Sequence, residues 1–129
     1  MLKKTAVCFL LLAAATAANA EVQLTEADIL GSWQIDAESA NSSGNPARKL
    51  NSVWTFSKDG TMEGVTQDSD ANSRAPELRA IVQYTIENGK ISKQSMPGRS
   101  KMETCTAVEK NGPKMTLECN NIYFFMTKK

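Results

Sequence analysis

Turn-forming sequences recur at short intervals along this chain, and they restrict it to a fold of short antiparallel strands. Asn88-Gly89 and Asn120-Asn121 each fit a two-residue hairpin turn, because these residue types tolerate the left-handed conformation that such a turn requires. Lys58-Asp59-Gly60 and Asn111-Gly112-Pro113 each fit a three-residue loop. Between the turns, apolar and polar residues alternate, as in strands with one buried face. The sequence therefore predicts an antiparallel sandwich or barrel.

The register that these turns impose places large apolar residues on one face of the sheet. The loop over 58–60 pairs Phe56 with Met62. The Asn-Gly turn pairs Ile86 with Ile91. Because the register and the hydrophobic pattern agree, each of these hairpins is consistent with a buried face.

Cys105 and Cys119 are predicted to form a disulfide. A three-residue loop over 111–113 places them opposite each other on neighbouring strands, where Cβ atoms approach to about 4.5–5.5 Å. The third cysteine, Cys8, lies in an N-terminal segment that we expect to be removed. Two independent buried thiols are the alternative for the remaining pair.

Residues 1–20 are predicted to be a cleaved secretory signal peptide. Two lysines precede an apolar run, and Ala18-Asn19-Ala20 then places small residues where a signal peptidase requires them. The run is too short for a membrane anchor, since a spanning helix needs about 20 apolar residues. We therefore expect a single mature domain over 21–129 that is periplasmic or secreted and is not inserted in a membrane.

The mature chain is nearly balanced in charge. Once the two lysines of the signal are removed, thirteen basic residues face fourteen acidic ones. The basic residues are spread along the chain, whereas phosphate binding needs a concentrated basic surface. A nucleic acid is therefore not an expected partner.

The residue types that carry most enzyme chemistry are absent or lie in unsuitable contexts. The chain has no histidine, which removes the commonest general base and the commonest protein ligand for zinc or copper. No serine lies in a Gly-x-Ser-x-Gly or Ser-x-x-Lys motif, and a disulfide would leave no thiol nucleophile. We expect a protein that is not an enzyme and that holds no cofactor.

Two sequence patterns are compatible with a metal ion, and a structural explanation is preferred for both. Asp68 to Asn72 resembles the first half of a calcium loop, but Ser73 replaces the required glycine and Arg79 the terminal acid. Five methionines follow the signal and could bind Cu(I). Three of them fall at predicted inward positions, where methionine commonly packs a core. No metal site is therefore assigned.

Three short motifs resemble the lipocalin or calycin superfamily, and small bacterial lipocalin-like domains in particular. Gly31-Ser32-Trp33 is similar to the Gly-x-Trp opening of that superfamily. Trp54-x-Phe56 followed by Asp59-Gly60-Thr61 is similar to the small bacterial domains, as is Tyr123-Phe124-Phe125 near a C-terminal lysine. The resemblance covers most of residues 25–129.

The expected fold is all-β: an eight-stranded antiparallel up-and-down barrel, lipocalin-like, with a short N-terminal helical turn and one disulfide. Closing eight strands into a barrel buries their apolar faces and removes exposed edges, and a two-sheet sandwich is the alternative. The resemblance implies that Gly31 and Trp33 are structural, with Trp33 closing the barrel bottom. It also implies that Lys128 of the last strand lies over this ring as a cation–π partner.

The leading functional hypothesis is an exported binding protein that holds a small apolar ligand in or at the mouth of the barrel. The predicted lining is a set of inward-facing apolar residues, Trp54, Phe56, Met62, Tyr84, Ile86, Leu117 and Phe124. The alternative is that these side chains simply fill the interior. The chain would then be a periplasmic protein-binding module, an inhibitor or accessory subunit, that acts through its loops over 39–49 and 67–77.

Overall fold

The computed structural model describes residues 21–67 and 77–129, in which one helical turn is followed by eight strands. The helix is α1 (Glu26–Ile29), and the strands are β1 (Gly31–Ser39), β2 (Arg48–Phe56), β3 (Thr61–Gln67), β4 (Glu77–Glu87), β5 (Lys90–Gln94), β6 (Met102–Asn111), β7 (Lys114–Cys119) and β8 (Ile122–Lys128). Each strand pairs antiparallel with the next, and β8 pairs with β1. The predicted up-and-down barrel is confirmed, and the sandwich is excluded.

Three sequence predictions lie wholly or largely outside the described residues: the signal peptide over 1–20, the calcium-like segment over 68–72 and the loop over 67–77. Of that loop only Gln67 and Glu77 are described, and they pair with each other at the ends of β3 and β4. In the described ranges, no helix has the length and apolar character needed to cross a membrane. The loop predicted over 39–49 is shorter in the structure, since β1 and β2 pair as far as Glu38 and Arg48.

The predicted turns and registers are otherwise reproduced. Phe56 lies opposite Met62, and Ile86 lies opposite Ile91. Asn88 has a φ angle of 53°, which is the left-handed conformation that its turn requires.

The hairpin between β6 and β7 differs from the prediction in its turn. The turn contains two residues, 112–113, rather than three, because Asn111 belongs to β6. A β-bulge at Val108 takes up the extra residue, so that Cys105 still lies opposite Cys119. The two cysteines form the predicted disulfide.

The connections of the barrel alternate between its two ends. The closed end carries the turns after β2, β4 and β6, and the open end carries the connections after β1, β3, β5 and β7. The segment that precedes β1 covers the closed end, where the Leu24 amide donates to the Gly89 carbonyl at 2.9 Å. The Val22 amide donates to the Ala107 carbonyl at 2.8 Å.

The helical turn at the closed end is capped by a pair of its own side chains. The Thr25 amide and hydroxyl donate to Oδ2 of Asp28, at 2.8 and 2.9 Å. These hydrogen bonds, with that from the backbone amide as the largest cause, lower the pKa of Asp28. The turn places the Ile29 carbonyl 2.9 Å from the indole nitrogen of Trp33, which donates to it in the buried core.

A buried core fills the closed half of the interior and continues along β6 and β7 to the disulfide near the open end. Its members are Leu24, Ile29, Trp33, Ile35, Phe56, Met62, Val82, Tyr84, Ile91, Cys105, Ala107, Met115, Leu117, Cys119 and Met126. The rings of Phe56 and Tyr84 meet edge to face, with centroids 5.1 Å apart. Because the three inward methionines lie in this cluster, they pack the core.

Candidate functional site

The seven residues predicted to line a ligand site lie at different depths in the barrel. Four of them belong to the buried core: Phe56, Met62, Tyr84 and Leu117. Ile86 is partly buried beside the turn at the closed end. Trp54 and Phe124 are also partly buried, and their ring centroids are 4.9 Å apart. The structure thus brings Trp54 and Phe124 together, and separates Ile86 from them.

Trp54 spans the interior between strands that are not neighbours. Its ring contacts Phe124 of β8, and the ammonium of Lys93 on β5 lies 5.9 Å from its centroid. The pairing register places Trp54 one inward position beyond Phe56, toward the open end. Its indole therefore forms a floor between the filled closed half and the open half.

Small residues occupy the next inward positions of β3 and β4. Gly64 and Ala80 lie opposite each other, one inward step beyond the buried pair Met62 and Val82. A Cβ atom at Gly64 would lie 3.6 Å from the Trp54 side chain, which is ordinary van der Waals contact. The absence of a side chain at Gly64 lets the Trp54 indole pack close to the backbone of β3.

Two apolar inward positions near the open end are exposed to solvent. By strand alternation, Leu78 faces the same side as Val82, yet it is 62% exposed. Ile122, which lies opposite the buried Cys119, is 38% exposed. Both side chains reach solvent and are not covered by the buried core, and we refer to this open half of the interior as the cup. Its apolar lining is Trp54, Gly64, Leu78, Ala80, Ile122 and Phe124.

An ion pair projects into this interior. Lys93 and Glu103 are directly paired across β5 and β6, and they share a face with Ile91 and Cys105. The Lys93 ammonium contacts the Glu103 carboxylate, and the side chains are only 10% and 24% exposed. The sequence analysis missed this pair, although Lys93 lies two residues after Ile91 and Glu103 two before Cys105. Strict alternation was the signal that could have found it.

A second ion pair lies at the rim of the cup. Arg48 donates to Glu38 at 2.6 Å, and the register places Glu38 opposite the inward-facing Phe124. In the pairing with β8, a β-bulge at Asp36 shifts the alternation of β1, so that Glu38 falls on the inward side. Because the bulge is not visible in the apolar pattern, sequence reasoning had no signal for this pair.

A pocket lies at the rim, and a pair of hydroxyl groups lies below it. The pocket, of about 320 Å³, lies between the loop over 40–47 and Ile122. Deeper in the interior, the hydroxyls of Ser52 and Thr66 are hydrogen-bonded at 2.8 Å. In the described part of the chain, every buried side-chain polar atom has a hydrogen-bond partner.

One group of side chains has the spacing of a metal site. The potential ligand atoms of Glu103, Cys105 and Cys119 lie within 4.8 Å of one another. Metals are bound by thiolates, however, and both sulfurs are joined in the disulfide. We therefore assign no metal ion to these three residues.

A larger cleft lies on the outside of the barrel. Its volume is about 480 Å³, and its lining includes Ser43 of the first loop, Phe125 of β8 and the charged residues Asp36 and Lys114. Gly44 of the loop sits against the Phe125 ring, with a φ angle of 72°. The first loop therefore folds down along the outer face of β8.

Comparison with known proteins identifies structural relatives only. No protein-family model matches the chain, and no curated protein matches it. A solved structure described as a lipocalin-like protein from Bacteroides uniformis has a TM-score of 0.61 at 16% identity, covering 79% of this chain and 99% of that one. An uncharacterized protein from Bacteroides eggerthii has the same TM-score at 14% identity, covering 79% and 100%. The fold is therefore a lipocalin-like β-barrel.

Proposed function

We propose that this chain is an exported binding protein, and that it holds a small, largely apolar molecule in the cup at the open end of the barrel. Export rests on the signal sequence predicted over 1–20. The observation that carries the binding proposal is the exposure of inward-facing Leu78 and Ile122 above the Trp54 floor. Lipocalin-like folds are typically those of binding proteins rather than enzymes, which agrees with this proposal.

The cup offers an apolar surface that a ligand can cover. Each 100 Å² of apolar surface removed from water contributes about 2.5 kcal/mol, so covering the exposed parts of Leu78 and Ile122 favours binding. The faces of Trp54 and Phe124 add flat surfaces on which a ring or an alkyl chain can pack. Of the predicted lining, Trp54 and Phe124 are the residues we assign to the ligand.

The proposal is tested with N-phenyl-1-naphthylamine, an uncharged probe whose fluorescence rises in apolar surroundings. We expect saturable binding accompanied by quenching of tryptophan fluorescence, because Trp54 lies at the floor of the cup. Ala80→Leu places a larger side chain at an exposed inward position, and it should weaken probe binding about tenfold or more by occupying the cup.

Thr85→Leu is the matched control for this variant. Thr85 is exposed on the same strand, but alternation places it on the outer face of the barrel. It adds a similar apolar side chain without entering the cup, so probe affinity should be unchanged. Equal affinities for the two variants, or no saturable binding to the unmodified protein, would contradict the proposal.

A second candidate function is recognition of another protein through the open end. Met96 and Met102 flank the connection between β5 and β6 and are 57% and 47% exposed. Exposed methionines are common at adaptable binding surfaces. Native mass spectrometry of the protein purified from its own host separates the two functions. A co-purifying small molecule supports the cup, whereas a co-purifying protein chain lost in a Met96→Lys/Met102→Lys variant supports the second function.

A further inference from the structure

Among the described residues, two compensated ion pairs face the cup, and this balance bears on the kind of ligand that the cup accepts. Glu103 neutralises Lys93 inside the barrel, and Glu38 neutralises Arg48 at the rim. Of the two pairs, Lys93 and Glu103 lie deeper, because their side chains are 10% and 24% exposed whereas that of Arg48 is 74% exposed. The deeper pair is the one that a ligand resting on Trp54 would meet.

The position of Lys93 connects the ion pair to the apolar floor. Its ammonium lies 5.9 Å from the centroid of the Trp54 ring while it contacts the Glu103 carboxylate. A ligand that packs on Trp54 therefore brings one of its ends near both charges. The pair lies too far inside the barrel to be a freely solvated surface pair.

Stability does not explain a pair in this position. Removing two charges from water is costly, and well-packed apolar residues of similar volume often serve a fold equally well. The same strands use apolar residues at the adjoining inward positions, Ile91 and Cys105. A polar role in ligand recognition accounts for charges where the barrel otherwise places apolar side chains.

We propose that the Lys93–Glu103 pair makes the cup selective for ligands whose polar end is uncharged and carries both a donor and an acceptor, such as a carboxamide or a hydroxyl. This inference rests on the proposed function of the cup. A carboxylate is attracted by Lys93 and repelled by Glu103 at similar distances, so it loses its hydration with little compensation. A carboxamide accepts a hydrogen bond from Lys93 and donates one to Glu103 while the ion pair stays in place.

Two probes that differ only in their polar end test this selectivity. Decanamide and decanoate each displace N-phenyl-1-naphthylamine from the protein, and their affinities are compared at neutral pH, where decanoate is ionised. We expect the unmodified protein to prefer decanamide by about tenfold or more, which corresponds to about 1.4 kcal/mol.

Glu103→Gln removes the repulsion and leaves Lys93 in the cup. This variant should abolish most of the preference for decanamide, with decanoate binding about tenfold tighter than it does to the unmodified protein. Glu87→Gln removes the same charge from an exposed position beside a turn at the closed end, and should leave both affinities unchanged. If Glu103→Gln fails to fold, Lys93→Gln/Glu103→Gln replaces it. The double variant should retain decanamide binding without any preference for decanoate.

The outcomes distinguish this inference from the function on which it rests. Failure of the naphthylamine probe to bind overturns the proposed function, and the inference with it. Equal or tighter binding of decanoate to the unmodified protein overturns the selectivity and leaves the cup intact. An unchanged ratio of affinities in Glu103→Gln, or displacement by neither probe, also overturns the inference.

Discussion

The ammonium of Lys128 lies over the indole of Trp33, with Nζ 4.9 Å from the ring centroid. The same ammonium donates a hydrogen bond to the Leu30 carbonyl at the end of the helical turn. Lys128 thus joins the last strand, the first strand and α1 at the closed end, as the resemblance to lipocalins implies. Lys128 and Trp33 thus connect β8 to β1, the two strands whose pairing closes the barrel.

Lys128→Met should therefore destabilise the protein. Methionine keeps the apolar stem but loses the cation–π contact and the hydrogen bond, with an expected cost of about 1–3 kcal/mol. Urea unfolding measures the change in the free energy of unfolding. Lys129→Met at the exposed C-terminus is the control and should leave the free energy of unfolding nearly unchanged. A similar loss in both variants would argue against a specific stabilising role of Lys128.

Gly31→Ala should destabilise the protein more than Gly98→Ala does. Both glycines have positive φ angles, 105° and 70°, so both variants carry backbone strain of about 1–2 kcal/mol. At Gly31 the new Cβ would also lie 2.8 Å from Nζ of Lys128, whereas at Gly98 nothing lies within 4 Å. Urea unfolding of the two variants isolates the cost of displacing Lys128. Equal losses would mean that this lysine moves away freely.

The Cys105→Ala/Cys119→Ala variant should lose stability by about 3 kcal/mol, because the disulfide closes a loop with a sequence separation of 14 residues. Thermal and urea unfolding measure the loss. Adding a reductant to the denaturation series should bring the unmodified protein to a similar stability and leave the variant unchanged. A reductant effect on the variant would point to some other cause.

Replacing both members of the deep ion pair should cost little. Lys93→Met/Glu103→Met exchanges two charges for apolar side chains, and we expect its free energy of unfolding to stay within about 1 kcal/mol of the original or to rise. Lys93→Met alone leaves the Glu103 carboxylate unpaired, and should cost about 1–3 kcal/mol given its partial exposure. A double variant that is less stable than the single one would show that the pair serves stability.

The stability of the protein should fall at alkaline pH in a way that depends on Tyr84. Burial is the main cause that raises the pKa of this phenol, whose hydroxyl donates to the Ser57 carbonyl at 2.8 Å. The unfolded chain therefore ionises first, near pH 10, and stability is lost as the pH rises from there through the folded pKa. Tyr84→Phe should lack this part of the decline, as measured by urea unfolding along a pH series. Parallel declines in both proteins would contradict the assignment.

Local sequence was sufficient to predict the turns and most of the register. Asn88-Gly89 and Gly60 require left-handed backbone, which few other residues adopt, so their positions mark the hairpins. Once the turns are placed, alternation sets which residues face each other, as it does for Phe56 and Met62. These features depend on neighbours in sequence, and that is why they could be predicted.

The character of the interior could be predicted only in part. Apolar alternation placed the predicted lining on the inward face, but it could not separate the partly buried Trp54 and Phe124 from four residues of the core: Phe56, Met62, Tyr84 and Leu117. Alternation tells which face a residue occupies and gives no information on its depth. Depth depends on which strands lie across the barrel, and these come from distant parts of the chain.

The amino-acid sequence by itself determined the strands, the turns and the pairing of neighbours, because each follows from backbone preferences and from a period of two residues. Only the tertiary structure decided the bulges at Asp36 and Val108, the joining of β8 to β1 and the meeting of Lys93 with Trp54. The β-bulges and the closure of the barrel depend on the geometry of the whole ring, in which every strand must pair with both of its neighbours. That geometry buried the side chains of the closed half and left Leu78 and Ile122 exposed near the open end.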